Sequence, residues 1–283
     1  MDLNPPSQAH IDELVRRALA EDLGEAGDIT TESVIPAGKP ARAVIAARKA
    51  GVIAGLPVVL RVFALVDPNV KLTQKVEDGA HVAPGTVLLE IDGTARALLK
   101  AERVALNFLG HLSGVATATA EIAAVIAHTK TKICCTRKTT PGLRLLEKYA
   151  VRCGGGVNHR MGLYDMVLIK DNHIAAASGV AQAIRAAKTS APKGVKIEVE
   201  VDTLEQLGEA LAEGVDQIML DNMAPAQMKI AVERVAGRAV TEASGSITKA
   251  TAAAIAESGV DVMSAGWITH SAACLDVGLD FRD

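Results

Sequence analysis

Apolar and polar positions follow one pattern in the first third of the chain and another in the rest. In the second part, short apolar runs recur between segments whose apolar residues repeat roughly every three to four positions. The runs predict six strands: Lys132–Cys135, Met166–Ile169, Val195–Val201, Gln217–Leu220, Ala239–Glu242 and Val260–Ser264. The segments between them predict five helices: Leu143–Cys153, Val180–Ala187, Leu204–Ala212, Pro225–Val235 and Thr248–Ser258. Repeated strand–helix units predict a parallel sheet.

The N-terminal third of the chain has a different pattern. Ile11–Ala20 predicts an amphipathic helix, Ala41–Lys49 predicts a strand, and Gly55–Leu65 predicts a helix that tolerates Pro57 in its first turn. Residues 71–93 alternate in short segments interrupted by Asp-Gly and Pro-Gly pairs, which is typical of hairpins and turns. This part of the chain therefore predicts a small α+β domain.

A long helical pattern connects the two parts. It begins at Ala95, and Ser113–Gly114 predicts a break in it. The strand–helix units beyond it fit either a (β/α) barrel, complete or incomplete, or an open doubly wound sheet. Polar or glycine-rich residues follow every predicted strand: TRKT, KDNH, EVEVD, LDN, EASGS and SAGWITH. An open sheet would concentrate such residues at one switch point, so their presence after every strand favours the barrel.

Cations are concentrated in one segment, Thr136–His173, although the whole chain has a net charge of −3. Clustering of this kind predicts a site for a small anion rather than for a polyanion. Aromatic residues make up only 2% of the chain, which leaves few side chains for base stacking, so we expect no nucleic-acid partner. The four cysteines have no CxxC spacing and predict reduced thiols in a cytoplasmic protein.

The sequence gives no reason to expect a membrane partner. The first residues lack the basic and then apolar pattern of a signal peptide. We also expect no apolar run long enough to span a membrane.

Carboxylates at the ends of two successive strands are the first candidate chemistry. Charged and apolar residues alternate within Lys196–Asp202, which places Glu200 on a charged face, and Asp221 ends the next strand. A carboxylate inside a barrel is costly unless it is paired or bound to a cation. The two acids therefore predict a Mg²⁺ site, with a salt bridge to Lys170 or Lys138 as the structural alternative.

Two loops late in the barrel predict phosphate binding. Ser244-Gly245-Ser246 and Ala265-Gly266 each precede a predicted helix, and His270 follows the second loop. Backbone N–H groups in such loops bind phosphates in many (β/α) barrels. Ordinary helix capping would explain one such loop alone, but two consecutive loops favour phosphate binding.

Individual cations have both a functional and a structural interpretation. Lys170, at a strand end, could clamp an anion or form a Schiff base, as in barrel aldolases. Arg160, next to His159, could bind a carboxylate through two parallel hydrogen bonds, and a basic surface loop is the alternative. Arg103 lies in a helical stretch before the barrel, where a surface charge is the simpler explanation.

Long blocks of the chain resemble a known family. The blocks are EDLGEAGDIT, AERVALNFLGHLSGVAT, TRKTTPGLRLLEKYAV, GGGVNHRMGLYDMVLIKDNH, EVEVDTLEQL, MLDNM, ASGSIT and GVDVMSAGWITHS. They are similar to quinolinate phosphoribosyltransferase, from about Glu21 to Asp280. The resemblance implies an α/β fold in which an N-terminal α+β sandwich domain accompanies an incomplete (β/α) barrel. We therefore place the sandwich at residues 1–115, the barrel at residues 116–270, and a C-terminal tail that returns to the N-terminal domain at residues 271–283.

The resemblance also implies a reaction. Quinolinate and phosphoribosyl pyrophosphate, with Mg²⁺, would give nicotinate mononucleotide, pyrophosphate and CO₂ in de novo NAD biosynthesis. It implies a cytoplasmic homodimer whose sites are completed across the interface. The implied quinolinate-binding residues are Arg137, His159, Arg160, Lys170 and Arg103 of the partner subunit. The implied phosphoribosyl-, metal-binding and catalytic residues are Lys138, Glu200, Asp221, Ser244, Gly245, Gly266 and His270, with Glu200 and Asp221 at the metal.

The chemistry of this reaction fits the residue types. The cationic segment can bind the two carboxylates of quinolinate. Glu200 and Asp221 could stabilise positive charge on the ribose while Mg²⁺ and Lys138 neutralise the leaving pyrophosphate. CO₂ loss then leaves a carbanion-like centre next to the cationic ring nitrogen, whose charge can stabilise it, and no residue has to act as the proton donor.

Two positions depart from the family pattern, and three alternatives stay open. Ser246 stands where the family often has a second glycine, and Cys135 stands where many members have an acid. The alternatives are a relative associated with molybdenum transport loci, a Schiff-base barrel aldolase, and a non-catalytic anion-binding protein. The first of these resembles the family but lacks the lysine that is Lys170 here.

Overall fold

A computed structural model describes residues 3–282 of the chain. Its contacts divide it into two compact units. Among the described residues, the first unit contains residues 3–118, Leu145–Gly155 and residues 271–282. The second unit contains Thr119–Arg144 and Gly156–His270.

The first unit is built on a four-stranded antiparallel sheet. Its helices are α1 (Gln8–Leu23), α2 (Ile29–Val34) and α3 (Leu56–Val66). Its strands are β1 (Pro40–Ala47), β2 (Gly51–Val52), β3 (Lys71–Gln74), β4 (His81–Val82), β5 (Val87–Thr94) and, from the C-terminal tail, β12 (Val277–Arg282). The strand order is β12-β1-β5-β3, so the tail closes one edge of the sheet. The predicted first helix, first strand and proline-containing helix are confirmed.

Helix α4 (Ala95–Val125) is continuous, so the predicted break at Ser113–Gly114 is wrong. The small residues serve close packing instead. A Cβ atom at Gly114 would overlap the carbonyl oxygen of Ala273, and Ser113 Oγ accepts a hydrogen bond from the backbone N–H of Ala54 at 3.1 Å. Small side chains here therefore mark the approach of two neighbouring segments rather than the end of a helix.

Among residues 3–282, α4 is the one helix whose length and composition would allow it to cross a membrane. Half of its most apolar window is buried inside the structure, as in the core helices of globular proteins. The expectation that no stretch would pass this test is therefore wrong for α4.

The second unit contains a six-stranded parallel sheet in the order β6-β11-β10-β9-β8-β7. The strands are β6 (Lys132–Cys134), β7 (Val167–Ile169), β8 (Ile197–Val201), β9 (Gln217–Asp221), β10 (Val240–Ser244) and β11 (Val262–Ser264). The helices are α6 (Asp171–Ala176), α7 (Val180–Ser190), α8 (Leu204–Glu213), α9 (Pro225–Val235), α10 (Ala252–Ala256) and α11 (Trp267–His270). Helix α5 (Arg144–Cys153) begins here, but its residues from Leu145 belong to the first unit. All six predicted strands are confirmed.

The register of the sheet brings the ends of its strands together. Ser264 pairs with Cys134 on one side and with Ser244 on the other, and Ser244 also pairs with Asp221. The loops that follow these strands therefore leave the sheet at one edge, as the barrel hypothesis requires.

Helix α10 is shorter than the predicted Thr248–Ser258. Thr251 Oγ1 accepts a hydrogen bond from the backbone N–H of Thr248 at 2.9 Å. Thr251 Oγ1 also donates to the carbonyl of Ser246 at 2.8 Å. Hydroxyl groups that bond to nearby backbone in this way stabilise a turn in competition with a helix.

Candidate active site

The carboxyl edge of the parallel sheet holds a cavity of about 330 Å³, which we call the cationic cavity. Its lining residues are Thr136, Arg137, Lys138, His159, Arg160, Leu168, Lys170, Met219, Glu242, Ser244 and Ser264. Two arginines and two lysines around one cavity of this size create a strongly positive site for a small anion. The cationic segment of the sequence therefore lines a single cavity.

Arg144 braces the loops that carry these cations. Its guanidinium donates to Thr139 Oγ1 at 3.0 Å, to the carbonyl of Met161 at 3.1 Å and to the carbonyl of Arg137 at 3.4 Å. One planar side chain thus ties the loop after β6 to the loop before β7. The sequence placed Arg144 among the cations without giving it this role.

Arg137 and Arg160 lie in a setting that favours an anionic ligand. Burial and the nearby charge of Arg137 lower the pKa of Arg160. Arg160 Nη1 donates to the carbonyl of Met166 at 3.0 Å, which fixes the side chain. Arg137 Nε is buried and has no hydrogen-bond partner among residues 3–282. A bound carboxylate would satisfy that donor and relieve the repulsion between the two guanidiniums.

A second cavity of about 520 Å³, which we call the loop cavity, shares Thr136, Lys138, Lys170, Ser244 and Ser264 with the first. Its other lining residues are Glu200, Asp221, Asn222, Gly245, Ser246, Ile247, Thr248, Ala265, Gly266, Trp267 and His270. Eleven of the twelve site residues that the resemblance implies thus line the two cavities.

The two predicted carboxylates lie in the loop cavity, and each retains one free oxygen. Lys170 Nζ contacts Glu200 Oε2 at 2.6 Å, so the salt bridge considered as the structural alternative is present. Asn222 Nδ2 donates to Asp221 Oδ2 at 2.7 Å. Glu200 Oε1 and Asp221 Oδ1 have no bonding partner among the described residues, so the salt bridge does not exclude a cation.

Gly245 is the residue that lets the first loop pass close to Asn222. It has φ +96°, and a Cβ atom there would overlap Asn222 Oδ1. The backbone N–H of Asn222 in turn donates to the carbonyl of Ser244 at 2.9 Å. Only glycine combines this backbone conformation with this close approach.

The second loop is packed against Lys138 and connected to the first loop. A Cβ atom at Gly266 would lie 2.8 Å from Lys138 Cδ. The backbone carbonyl of Lys138 accepts a 2.7 Å hydrogen bond from Thr269 Oγ1. Trp267, the one tryptophan of the chain, donates from Nε1 to the carbonyl of Ile247 at 2.8 Å. The two loops are therefore held in register across the cavity.

Ser246, where the family often has glycine, adopts the left-handed conformation with φ +51°. A residue other than glycine in this region destabilises the folded state by about 1–2 kcal/mol. Glycine removes that cost, but it also makes the unfolded chain more flexible, which offsets part of the gain in stability. We expect Ser246→Gly to raise the free energy of unfolding by up to about 1 kcal/mol, measured by urea denaturation.

The control for Ser246→Gly is Ser178→Gly, since Ser178 has φ +64° in the same unit but does not line either cavity. Both variants should be stabilised to a similar degree. Loss of stability in Ser246→Gly alone would show that the serine side chain holds the loop and that strain at this position is not the dominant effect.

A group of three buried acidic and basic side chains below the cationic cavity was not predicted. Glu198 and Glu242 are fully buried, and His159 Nε2 lies 3.0 Å from Glu198 Oε2 and 3.4 Å from Glu242 Oε2. Burial lowers the pKa of His159, but the hydrogen bonds and charges of the two glutamates raise it more, to about 10. Burial and the charge of Glu242 raise the pKa of Glu198. The two carboxylates therefore favour a proton on Nε2 of His159.

These three residues could also hold a metal ion, because their ligand atoms lie within 4.8 Å of one another. A nitrogen and two carboxylate oxygens would suit a transition metal. The oxygen-only pair Glu200 and Asp221 suits Mg²⁺ better.

The sequence feature that could have indicated Glu242 is its position: it is a charged residue within a strand, like Glu198.

Arg103 lies in the first unit, on α4. Its side chain is 63% exposed and lies 3.7 Å from Glu102 Oε1. Within one chain, it therefore fits the sequence-based interpretation of a surface charge.

Comparisons with known proteins match most of the chain. The family model described as quinolinate phosphoribosyl transferase, C-terminal domain, matches residues 115–280, and the model of the N-terminal domain matches residues 28–113. The chain belongs to the quinolinate phosphoribosyltransferase family. The resemblance found in the sequence is therefore confirmed.

Members of the quinolinate phosphoribosyltransferase family match over nearly the whole chain. The nicotinate-nucleotide pyrophosphorylase [carboxylating] of Mycobacterium leprae is 48% identical, over 94% of this chain and 95% of the relative. The chloroplastic enzyme of that name from Arabidopsis thaliana is 41% identical, over 99% and 85%. The structure of the nicotinate-nucleotide pyrophosphorylase from Francisella tularensis superposes with a TM-score of 0.94 at 38% identity, over 100% and 99% of the two chains. The predicted fold class is thus confirmed.

Proposed function

We propose that this chain transfers phosphoribosyl from phosphoribosyl pyrophosphate to quinolinate with loss of CO₂, giving nicotinate mononucleotide and pyrophosphate for NAD biosynthesis. The observation that carries the proposal is the pair of adjoining cavities, one cationic and one lined by glycine loops and two carboxylates. The relatives are named nicotinate-nucleotide pyrophosphorylase [carboxylating], which describes this reaction in the reverse direction. Lys138 and Lys170 line both cavities, so each can contact either substrate.

Quinolinate binds in the cationic cavity. Its two carboxylates lie on adjacent ring carbons, and Arg137, Arg160 and Lys170 surround a space of about 330 Å³. The buried Nε of Arg137 supports this placement, because it needs an acceptor. His159 lines the same cavity and is the fourth side chain proposed to contact quinolinate, with Arg137, Arg160 and Lys170.

Phosphoribosyl pyrophosphate binds in the loop cavity. Its phosphates meet the backbone of the loops at Ser244–Gly245 and Gly266, together with His270. Glu200 and Asp221 would hold Mg²⁺, and their free oxygens in one cavity fit a hard cation that keeps several waters and shares phosphate oxygens. Bound there, Mg²⁺ would neutralise negative charge on the pyrophosphate.

The side chains then have separate tasks in the reaction. Arg137, Arg160 and Lys170 hold the ring so that its nitrogen faces the ribose. The two reacting atoms are then already aligned, which lowers the entropic part of the barrier. The negative charges of Glu200 and Asp221 stabilise the positive charge that develops on the ribose, and Lys138 stabilises the departing pyrophosphate. After transfer, CO₂ leaves from the carbon next to the ring nitrogen, and the positive charge on that nitrogen stabilises the electron pair left on the carbon. A proton from solvent then takes the place of the carboxylate on that carbon.

Assembly and location belong to the same proposal. Arg103 is exposed within its own chain, so it is available to act as a ligand for the substrate in a second subunit. We infer a homodimer with shared sites in which Arg103 of the partner subunit contacts quinolinate. Four free cysteines, three of them buried, support a reducing compartment such as the cytoplasm.

A product assay tests the function. The protein is supplied with phosphoribosyl pyrophosphate, Mg²⁺ and either quinolinate or nicotinate, and nucleotide and CO₂ are measured. We expect nicotinate mononucleotide and CO₂ from quinolinate, no product from nicotinate, and loss of turnover with EDTA that excess Mg²⁺ restores. Absence of product from both acids would overturn the proposal.

The alternatives have weaker support. A Schiff-base lysine has to attack as an uncharged amine, whereas Lys170 Nζ makes a 2.6 Å ion pair with Glu200. Lys170 is also the residue that the molybdenum-associated relative lacks. A non-catalytic anion-binding protein would not need two carboxylates in the loop cavity.

A further inference from the structure

Polar side chains from three adjacent strands meet below the cationic cavity, and no step of the proposed reaction uses them. They are Glu198 on β8, Gln217 on β9 and Glu242 on β10, which we call the floor network. Glu198 pairs with Gln217 in the strand register, and both glutamates are fully buried. Two buried carboxylates inside a barrel are costly and call for an explanation.

Gln217 fixes the two glutamates relative to each other. Its Nε2 donates to Glu198 Oε1 at 3.0 Å and to Glu242 Oε2 at 2.7 Å. One amide nitrogen thus joins carboxylates that belong to two different strands. Gln217 itself does not line the cavity, whereas Glu242 does.

His159 is held by this network on one side and holds Arg160 on the other. Its Nε2 faces both carboxylates, at 3.0 Å and 3.4 Å, and only 6% of its side chain is exposed. Its Nδ1 accepts a hydrogen bond from the backbone N–H of Arg160 at 2.8 Å. Because both ring nitrogens have a partner, the ring cannot rotate without losing a contact.

The contacts therefore form a continuous chain from the floor of the barrel to the cations of the cavity. Gln217 orients the glutamates, the glutamates orient the imidazole, and the imidazole fixes the backbone at Arg160. We propose that the floor network is a positioning device for diacid recognition, in which Gln217 and Glu242 act through His159 to hold His159 and Arg160 for the two carboxylates of quinolinate. This inference rests on the proposed function.

Two variants test the network at different points. Gln217→Met keeps the length of the side chain and removes both hydrogen bonds to the glutamates. Glu242→Gln keeps the shape and removes the charge next to His159. In steady-state assays we expect each to raise KM for quinolinate by about tenfold or more, with KM for phosphoribosyl pyrophosphate within about twofold of the wild type.

The matched control is Thr241→Val. Thr241 is adjacent to Glu242 on β10, is buried, and donates from Oγ1 to Asp261 Oδ2 at 2.8 Å, on the opposite face of the strand. Its loss should lower the thermal midpoint while KM for quinolinate stays within about twofold of the wild type. The control therefore distinguishes a specific effect on quinolinate binding from a general loss of barrel stability.

Three results would overturn the inference. They are an unchanged KM for quinolinate in both network variants, an equal rise in KM for both substrates, or the same rise in KM in Thr241→Val. If the turnover of a variant is too low to assay, its Kd for quinolinate, measured by calorimetry, takes the place of KM. If the wild type run in parallel gave no product from quinolinate, the proposed function itself would fail, which is a distinct outcome.

Discussion

Lys138→Ala is expected to lower kcat by roughly 10³-fold and to change the thermal midpoint by only a few degrees. The lysine lines both cavities, where its charge would stabilise the departing pyrophosphate. Its Nζ has no bonding partner among residues 3–282, so little of the fold depends on the side chain. The backbone of Lys138 is fixed by the Thr269 hydroxyl, and the substitution leaves that contact intact. Steady-state kinetics measures the loss of kcat, and thermal denaturation measures the change in the thermal midpoint.

The control for Lys138→Ala is Lys132→Ala. Lys132 begins β6, the strand that leads to Lys138, and is exposed at the opposite end of the sheet. In a (β/α) barrel, side chains at that end serve stability and those at the carboxyl end serve chemistry. We expect the control to keep kcat within about twofold. Wild-type kcat in Lys138→Ala would remove its assigned role.

The site could be predicted because its residues follow strands. In a parallel sheet the ends of all strands meet at one edge, so polar residues that are far apart in sequence have to converge there. Asp221 at the end of β9 and Gly245 after β10 were predicted in this way, and both line the loop cavity. For these two residues the prediction needed only the alternation of strands and helices, whereas the role of Arg137 was implied by the family resemblance.

Two features were misjudged, one because of a contact with a distant segment and one because of local side-chain hydrogen bonds. Gly114 in a helical pattern has the composition of a break, yet it is required because the backbone at Ala273 passes next to the helix. The length of α10 depends on hydroxyl groups of Thr248 and Thr251 that satisfy a turn. Local sequence preference cannot reveal which partner a small or hydroxylated residue will find.

The floor network escaped prediction for a related reason. Gln217 and Glu242 lie within strands, where an isolated polar residue is normally assigned to the exposed face. In a barrel that face can point inward, and whether a polar residue is satisfied there depends on its neighbours across the sheet. Register between β8, β9 and β10 brings the three side chains together, and register is not visible in one strand.

Gly245→Ala is expected to lower kcat/KM for phosphoribosyl pyrophosphate by more than about 100-fold. Two costs combine at this position. With φ +96°, Gly245 lies in a conformation that alanine rarely adopts, and the added Cβ would overlap Asn222 Oδ1. Asn222 would have to move, and it is bonded to Asp221 through Nδ2 at 2.7 Å. The substitution therefore displaces the phosphate loop and the carboxylate proposed to bind Mg²⁺ together.

Gly237→Ala separates the backbone cost from the effect on the site. Gly237 also has a positive φ, +73°, but a Cβ atom there would meet no atom within 4 Å. Gly237→Ala should lose about 1–2 kcal/mol of stability in urea denaturation because of the left-handed conformation. Gly245→Ala should lose at least as much, since the overlap with Asn222 adds to the same cost. Only Gly245→Ala should also raise the Mg²⁺ concentration that gives half-maximal rate. Equal kinetics in the two variants would mean that the loop at Gly245 does not shape the phosphoribosyl pyrophosphate site, and the assignment of the loop cavity would have to be withdrawn.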